Sequence, residues 1–280
     1  MWKPEHRIAA AARRGLRYPS DMSDAEWALV EPMIPPGRRG GRPRGVNLRE
    51  VLNAIFYVLA TGCQWQAMPK DLPPKSTAHH YFALWDWDGT LERIHYVLYV
   101  QCREQAGREA SPTVAIIDSQ SVKSAEKGGV SIDPPGYDSG KKIKGRKRHL
   151  LVDTEGLVLQ VIVHAADIQD RDGGQLLLAT LFGLFPFLRK LYADGGYQGP
   201  KFQEAVKRVL RRVKLEIVKR SDAVKGFVVL PKRWIVERTI GWLNRCRRLA
   251  KDWENLNRKA LAFLRLASIR LMLRRLCNPI

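Results

Sequence analysis

The chain has 280 residues and is 45% hydrophobic, which excludes a disordered polycation, because disordered chains lack the apolar residues of a packed core. The formal net charge of +20 repels itself in the folded state and therefore favours an anionic partner, with DNA or RNA as the first candidate. No apolar run approaches the roughly 20 residues that a helix needs to span a bilayer, so we expect no membrane-spanning segment.

The N-terminal part of the chain is predicted to consist of a basic tail over residues 1–20 and a small all-α domain over residues 21–106. Ser23-Asp-Ala-Glu26 forms a capping box, which is typical of a helix N-terminus. The glycine-rich basic segment over residues 37–45 cannot form a core and predicts a loop. We therefore expect short helices in this part, with a basic loop after the first of them.

Three further helices are predicted in the same domain from apolar residues at helical spacing. Asn47 is placed to cap the second helix, and Gly62 is placed to end it. Ser76 is placed to cap the third helix, and the fourth runs roughly over residues 91–105. The segment over residues 107–112, which begins with glycine and ends with proline, indicates a domain boundary.

After this boundary the apolar pattern changes from helical spacing to short β-branched runs, which indicate strands. Strands are predicted at residues 114–117, on both sides of the turn Asp153-Thr-Glu-Gly156, and at residues 188–193 and 215–218. The order is three strands, a helix, a strand, a helix, a strand and then helices. This order predicts a mixed sheet covered by helices.

Three acidic residues each close or lie on an element that is otherwise apolar or basic. Asp118 ends the run over residues 113–118, Asp194 ends the run over residues 188–194, and Glu237 lies near the start of a basic amphipathic helix. Two divalent cations held by carboxylates activate a nucleophile and stabilise a leaving oxygen at phosphorus. We therefore predict that these three acids are catalytic and bind two Mg²⁺ or Mn²⁺ ions.

A purely structural interpretation of the same residues stays open. Aspartates are common in the turns that follow strands, and Glu237 can pair with Arg233, which lies one helical turn before it. Two other acids have local explanations, since Asp153 fits a hairpin turn and Asp170 lies in an acidic cluster that fits the N-cap of a helix. Neither is assigned to the catalytic set.

Basic residues cluster in the loop over residues 37–45, in the segment over residues 141–148 and on the helix around Glu237. A solvated surface is the alternative for each cluster. The excess of cations over acids favours contact with phosphates, and arginine in a loop can read a narrow minor groove. The predicted DNA-binding residues are Arg39, Arg42, Arg44, Lys141, Lys142, Lys144, Arg146, Lys147, Arg148, Arg233, Arg238 and Arg245.

Four segments follow one another in an order that is typical of one enzyme family. They are Ile117-Asp118-Ser-Gln-Ser-Val-Lys123, Gly136-Tyr-Asp-Ser-Gly-Lys-Lys-Ile-Lys-Gly-Arg-Lys-Arg-His149, Ala193-Asp194-Gly-Gly-Tyr197 and Arg233-Trp-Ile-Val-Glu237-Arg-Thr-Ile-Gly-Trp-Leu-Asn-Arg245. With them the chain resembles the DDE transposases of bacterial insertion sequences, specifically the insertion-sequence-5-like group, over roughly residues 18–275. The resemblance implies a ribonuclease-H-like catalytic domain over residues 113–276, preceded by the helical DNA-binding domain.

The family pattern places a Tyr, an Arg, the catalytic Glu and a Lys at fixed helical spacing. Arg233 matches the Arg, four residues before Glu237. Leu230 stands at the Tyr position and Asn244 at the Lys position, with Arg245 next to it.

The resemblance implies a transposase that binds the terminal inverted repeats of its element, cleaves at the ends and joins the 3′-OH to target DNA. Its expected partner is double-stranded DNA, on which we expect a homo-oligomer. A DNA-binding protein with an inactive core and a metal nuclease without strand transfer are the alternatives. The four cysteines are widely spaced and form no Cys-x-x-Cys pair, which predicts reduced thiols and a cytoplasmic protein.

Overall fold

A computed structural model describes residues 13–37, 40, 44–126, 131–218 and 232–278. In this part of the chain the fold is mixed α/β, as predicted, and no helix is both long and apolar enough to cross a membrane. The helices are α1 (Asp24–Val30), α2 (Leu48–Thr61), α3 (Lys75–Trp87), α4 (Thr90–Gln105), α5 (Asp170–Ala179), α6 (Pro200–Val209), α7 (Arg233–Leu243) and α8 (Asn257–Cys277). The strands are β1 (Val114–Lys123), β2 (Gly136–Asp138), β3 (Ile143–Asp153), β4 (Val158–Ala165), β5 (Lys190–Ala193) and β6 (Lys214–Ile217).

Strand β1 lies inside the sheet, which has the order β2-β3-β1-β5-β6, and β4 also pairs with β3. β3 runs antiparallel to β1 and places Leu150 opposite Asp118. β5 runs parallel to β1 and places Leu191 opposite Ala115. Because β1 and β5 are parallel neighbours, the residue that follows β5 lies at the same edge of the sheet as the second half of β1.

Two strands are longer than the apolar runs that predicted them. β1 continues past Asp118 to Lys123, and β3 begins at Ile143 instead of His149. Most of the added residues are polar or charged, but their backbones pair with one another, for example Lys123 with Gly145. Asp118 therefore lies within a strand and not at its end, and most of the basic segment over residues 141–148 is part of β3.

Most of the predicted helix ends in the N-terminal part are confirmed. The Ser23 backbone N–H donates to Glu26 Oε2 at 2.9 Å, and the Glu26 N–H donates to Ser23 Oγ at 3.3 Å. Asn47 caps α2, and Gly62 follows its last residue with a left-handed φ of 72°. The predicted cap at Ser76 is wrong, because Pro74 is the N-cap residue and α3 already begins at Lys75.

The N-terminal helices share one hydrophobic core with the rest of the chain. Val58 of α2 and Leu98 of α4 belong to the same cluster of buried residues as Ile117 of β1 and Leu264 of α8. Helix α8 lies against α4, where His95 Nε2 is 3.0 Å from Ser268 Oγ. The structure therefore does not show a separate all-α domain, and the domain boundaries stay predictions.

The end of the predicted basic tail is attached to these helices. Arg13 donates to Glu26 Oε1 at 2.6 Å, and Arg17 donates to Glu50 Oε2 at 2.5 Å. Ser20 is buried. Residues 1–12 of the tail lie outside the described residues, so the prediction of a loose tail is not supported for residues 13–20 and is untested for the rest.

Candidate active site

Asp118 is a buried carboxyl in the middle of β1. Its Oδ1 accepts a hydrogen bond from the Ser119 backbone N–H at 2.7 Å. Burial raises the pKa of Asp118 from 3.8 to about 6, and the charge of Asp194 adds to this, whereas the Ser119 N–H, Arg233 and Lys141 act in the opposite direction. Asp118 and Asp194 are therefore close enough to repel each other.

Asp194 directly follows β5, where it opens a short turn. Its Oδ1 accepts a hydrogen bond from the Gly196 N–H at 2.9 Å, which fixes one carboxylate oxygen. Its Oδ2 lies 3.6 Å from Nη2 of Arg233. The parallel pairing of β1 and β5 thus brings the two predicted catalytic aspartates together, although about 75 residues separate them in the sequence.

Glu237 lies on α7 and shares Arg233 with Asp194. The ion pair between Arg233 Nε and Glu237 Oε1 spans 3.2 Å and joins residues one helical turn apart. The Glu237 side chain is 51% exposed, so it is accessible from solvent. One guanidinium therefore lies between the second and third predicted acids, and the pairing that the structural interpretation required is present.

The site provides oxygen ligands, which Mg²⁺ prefers. A cation beside Asp118 and Asp194 would relieve the repulsion that raises the Asp118 pKa, so these two carboxylates fit a metal ion. Among the described residues, however, no three His, Cys, Asp or Glu side chains are grouped closely enough to hold one. Glu237, which pairs with Arg233, would have to move closer to the two aspartates to complete a metal site.

A polar network next to Asp118 connects β1 to three other elements. Ser119 Oγ donates to Asp170 Oδ1 at 2.8 Å, and Ser121 Oγ donates to Asp138 Oδ2 at 2.5 Å. Lys147 Nζ joins the two acids, at 2.9 Å from Asp170 Oδ1 and 3.4 Å from Asp138 Oδ2. Asp170 is therefore not the predicted N-cap but a link between α5, β1 and β3.

A second buried group links the turn that carries Asp194 to β3, the strand that pairs with β1. A hydrogen bond of 2.8 Å joins Tyr197 Oη and His149 Nδ1, and the His149 ring stacks on His164 with centroids 4.9 Å apart. Burial and the charges of Asp118, Asp170 and Asp194 raise the Tyr197 pKa. The Tyr197 hydroxyl is thus uncharged, and it lies near the acids.

Gly173 of α5 is packed against the two histidines, so we expect Gly173→Ala to destabilise the protein. A Cβ at this position would lie less than 3.0 Å from Nε2 of both His149 and His164, and both rings are buried. Overpacking of this kind costs about 1–3 kcal/mol. Urea unfolding measures the loss, and Gly241→Ala is the control because nothing lies within 4 Å of its added Cβ. Equal stability of the Gly173→Ala variant would contradict this packing.

The side chains of three predicted DNA-binding residues are buried in β3 and are therefore not available to DNA in this structure. Arg146 lies 3.4 Å from Asp252 Oδ2 and donates to the carbonyl oxygen of Asn255 at 2.6 Å. Arg148 donates to the carbonyl oxygen of Leu249 at 2.8 Å. The third residue, Lys147, binds the two acids described above. Arg146 and Arg148 hold the C-terminal part of the chain against the sheet, and none of the three cations faces solvent.

Two further predicted contacts have partners inside the molecule. Arg44 is exposed but donates to the carbonyl oxygens of Pro35 at 3.0 Å and Pro36 at 3.3 Å. The Arg238 guanidinium lies between the rings of Trp234 and Trp242, with centroid distances of 4.6 and 4.4 Å. Both arginines therefore support local packing, and their contact with DNA stays a prediction.

Of the remaining predicted DNA-binding residues, some are exposed and the others lie outside the part of the chain that the structure describes. Lys141, Lys142, Lys144 and Arg245 are exposed, and Lys141 Nζ lies 3.4 Å from the Ser119 carbonyl oxygen, next to the acids. Arg39 and Arg42 lie outside the described residues.

Sequence reasoning missed Ser119 and Tyr197, although both lie in the segments that carry the acids. No local signal marks Asp170, because its partners are distant in the sequence.

Comparisons with known proteins agree with this geometry. Residues 109–272 match the family described as transposase DDE domain, and residues 22–95 match a putative transposase of the IS4/5 family. The first match covers more than half of the chain, and the chain belongs to the DDE-domain transposases. This family implies a ribonuclease-H-like core, an enzyme that acts on DNA, and a divalent metal cofactor.

Two proteins of Burkholderia cepacia are similar to the chain. The insertion element IS402 uncharacterized 16.2 kDa protein is 31% identical over 113 residues, which are 38% of this chain and 76% of that protein. The putative transposase for insertion sequence element IS402 is 32% identical over 133 residues, which are 44% of this chain. The chain spans 60% of the length of that second protein. No solved structure gives a significant match.

Proposed function

We propose that this chain is the transposase of an insertion sequence that binds the terminal inverted repeats, cleaves at the ends and joins the 3′-OH to target DNA. The proposal is supported by the position of Arg233, which lies 3.6 Å from Asp194 and 3.2 Å from Glu237, and by the proximity of Asp194 to Asp118. Family membership supports DNA as the substrate. The two similar proteins of IS402 support an insertion sequence as the origin.

Asp118, Asp194 and Glu237 would hold one or two Mg²⁺ or Mn²⁺ ions. When bound, such ions activate the attacking water or 3′-hydroxyl and stabilise the leaving oxygen. The protein's own part is positional: β1 and the turn after β5 fix two carboxylates, and α7 brings the third. The pKa of about 6 leaves Asp118 mostly ionised at neutral pH, which a metal ligand requires.

Arg233 is suited to hold a phosphate of the DNA beside the acids. Its planar guanidinium can donate two parallel hydrogen bonds to a phosphate, which a lysine cannot reproduce. In the absence of DNA it pairs with Asp194 and Glu237, so it is already located at the site. The exposed Lys141 adds positive charge next to Asp118 and favours the approach of the DNA backbone.

A DNA-binding protein with an inactive core is the second candidate function. The observation that favours it is the ion pairing of Arg233, which neutralises two acids that would otherwise bind metal. The two candidates differ in metal-dependent cleavage, since only the active enzyme cuts a duplex that contains the element's ends. DNA binding alone does not separate them.

Asp194→Ala and Glu237→Ala are each expected to reduce cleavage by about 10³-fold or more, since about 4 kcal/mol of transition-state stabilisation corresponds to that factor. DNA affinity should change little, because neither acid attracts phosphate. Single-turnover cleavage of end-containing duplex in Mg²⁺ measures the effect. Glu216→Ala is the matched control, since this acid lies on β6 and pairs with Lys190 at 2.6 Å.

An Asp194→Ala variant that cleaves at the normal rate would contradict the catalytic assignment. A wild-type protein that binds the ends specifically, yet leaves them intact in both Mg²⁺ and Mn²⁺, would support the inactive core instead.

A further inference from the structure

Six exposed cations near the end of α6 have no partner within the described part of the chain. Their side chains make no ion pair and no hydrogen bond there, in contrast to most of the arginines considered above. The residues are Arg189, Lys207, Arg208, Arg211, Arg212 and Lys214. We call this group the α6–β6 corner.

The backbone brings these residues together at one edge of the sheet. The Lys214 N–H donates to the Arg189 carbonyl oxygen at 2.8 Å, and the Arg189 N–H donates to the Thr113 carbonyl oxygen at 2.8 Å. Arg189 and Lys214 therefore lie side by side, where β5 and β6 begin. The other four cations occupy the last turn of α6 and the turn into β6, directly before Lys214.

The α6–β6 corner lies at the opposite end of β5 from the acids. Arg189 precedes this strand and Asp194 follows it. Five residue steps at about 3.3 Å each separate the two by roughly 16 Å. The cations at this corner therefore cannot contact the same phosphate as Arg233, and they would contact DNA away from the bond that is cleaved.

Few acids balance the positive charge of this surface. Glu216 of β6 is held by Lys190 at 2.6 Å, and Glu204 of α6 is exposed two turns before Arg211. Ion pairs at a solvated surface contribute little, whereas each cation that neutralises a DNA phosphate releases a counterion. Arginine side chains also match the geometry of phosphate oxygens. The composition of the α6–β6 corner thus fits a polyanion.

We propose that the α6–β6 corner binds the phosphate backbone of duplex DNA and holds a segment other than the one at the acids. The inference rests on the proposed function, since a strand-transfer enzyme handles both a transposon end and a target.

Phe182, Leu184 and Phe187 are exposed just before Arg189. Apolar groups next to cations also occur on proteins that bind anionic membranes, so the test includes vesicles.

The test compares two variants of the full chain. The first combines Lys207→Gln, Arg208→Gln, Arg211→Gln and Arg212→Gln, and the second keeps the charge with Lys207→Arg, Arg208→Lys, Arg211→Lys and Arg212→Lys. Affinity for a fluorescent duplex is measured from about 50 to 200 mM salt, a range over which phosphate contacts change affinity strongly. Thermal melts confirm that both variants are folded, and wild-type binding and Mg²⁺-dependent cleavage are measured in parallel.

We expect the glutamine variant to flatten the slope of log affinity against log salt by about three to four, because each lost phosphate contact removes about 0.9. The charge-conserving variant should keep the wild-type slope. A glutamine variant with an unchanged slope overturns the inference but leaves the proposed function intact if the wild type binds and cleaves DNA. A wild type that fails to bind DNA overturns both.

Phosphatidylserine vesicles distinguish the second kind of partner. If the wild type binds these vesicles, and the glutamine variant loses vesicle binding while its DNA slope is unchanged, then the α6–β6 corner is a membrane-binding surface and the proposal of DNA binding is wrong. No vesicle binding, together with the flattened DNA slope, supports it.

Discussion

Asp118→Asn is expected to abolish cleavage and at the same time to stabilise the folded protein. The activity is lost because an amide is a poor metal ligand and carries no charge. The stability increases because the carboxylate of Asp118 is buried next to Asp194, which makes its ionised form unfavourable in the native state. The same side chain thus has opposite effects on function and on the free energy of unfolding.

The sign and size of this gain follow from the pKa shift. The Asp118 pKa is about 6 in the folded protein, whereas the ordinary pKa of an aspartate side chain is 3.8. The wild type therefore loses stability as the pH rises from about 4 through 6, and the loss is complete above this window. A shift of this size corresponds to an upper limit on the order of 3 kcal/mol.

Urea unfolding in the presence of a metal chelator tests this prediction. Asp118→Asn should be more stable than the wild type at pH 8, and the difference should shrink at pH 5. Asp194→Asn is the control, because Asp194 is paired with Arg233 and is more exposed, so its replacement should remove activity without the stability gain. If Asp118→Asn is no more stable than the wild type at pH 8, burial of the ionised Asp118 carboxylate does not destabilise the folded protein.

Arg103→Met is expected to cause a large loss of stability, although Arg103 lies outside the active site. Arg103 of α4 forms an ion pair of 2.5 Å with Asp153 at the end of β3, and both side chains are almost fully buried. Burial raises the Asp153 pKa, and Arg103 acts against this shift. Removal of the arginine leaves a buried carboxylate without its cation, which costs about 3–5 kcal/mol.

The free energy of unfolding at neutral pH measures this loss, and Arg108→Met is the matched control. Arg108 is exposed and lies 3.8 Å from Glu155, so its exchange should cost less than about 1 kcal/mol. The double exchange Arg103→Met with Asp153→Asn should recover part of the loss, because no unpaired charge then remains. Equal effects of the Arg103 and Arg108 exchanges would show that the buried ion pair contributes no more to the free energy of unfolding than the exposed one.

Local patterns predicted those features of the fold that depend on neighbouring residues. The capping box of Ser23 and Glu26, the end of α2 at Gly62 and the hairpin turn at Asp153 are each determined within a few residues. The two aspartates were found because each follows an apolar run that becomes a strand. Their convergence needed the parallel pairing of β1 and β5, which a single sequence indicates only through the order of its elements.

The fate of the basic residues could not be predicted in the same way. The run from Lys141 to Arg148 contains many cations and therefore indicated contact with DNA phosphates. The residues that bury Arg146 and Arg148 come from around Asp252, which is more than 100 residues later in the chain. No local pattern predicts such distant partners. The sequence alone therefore does not distinguish the buried cations of β3 from the exposed cations of the α6–β6 corner.

The packing of α8 against α4 has a consequence for folding during synthesis on the ribosome. Contacts such as His95 with Ser268 join residues 173 positions apart. At about 5–20 residues per second, a nascent chain needs roughly 10–35 s to synthesise the intervening segment. During this time the apolar faces of the early helices are not yet packed against α8, and apolar surface that is exposed in this way is prone to aggregation.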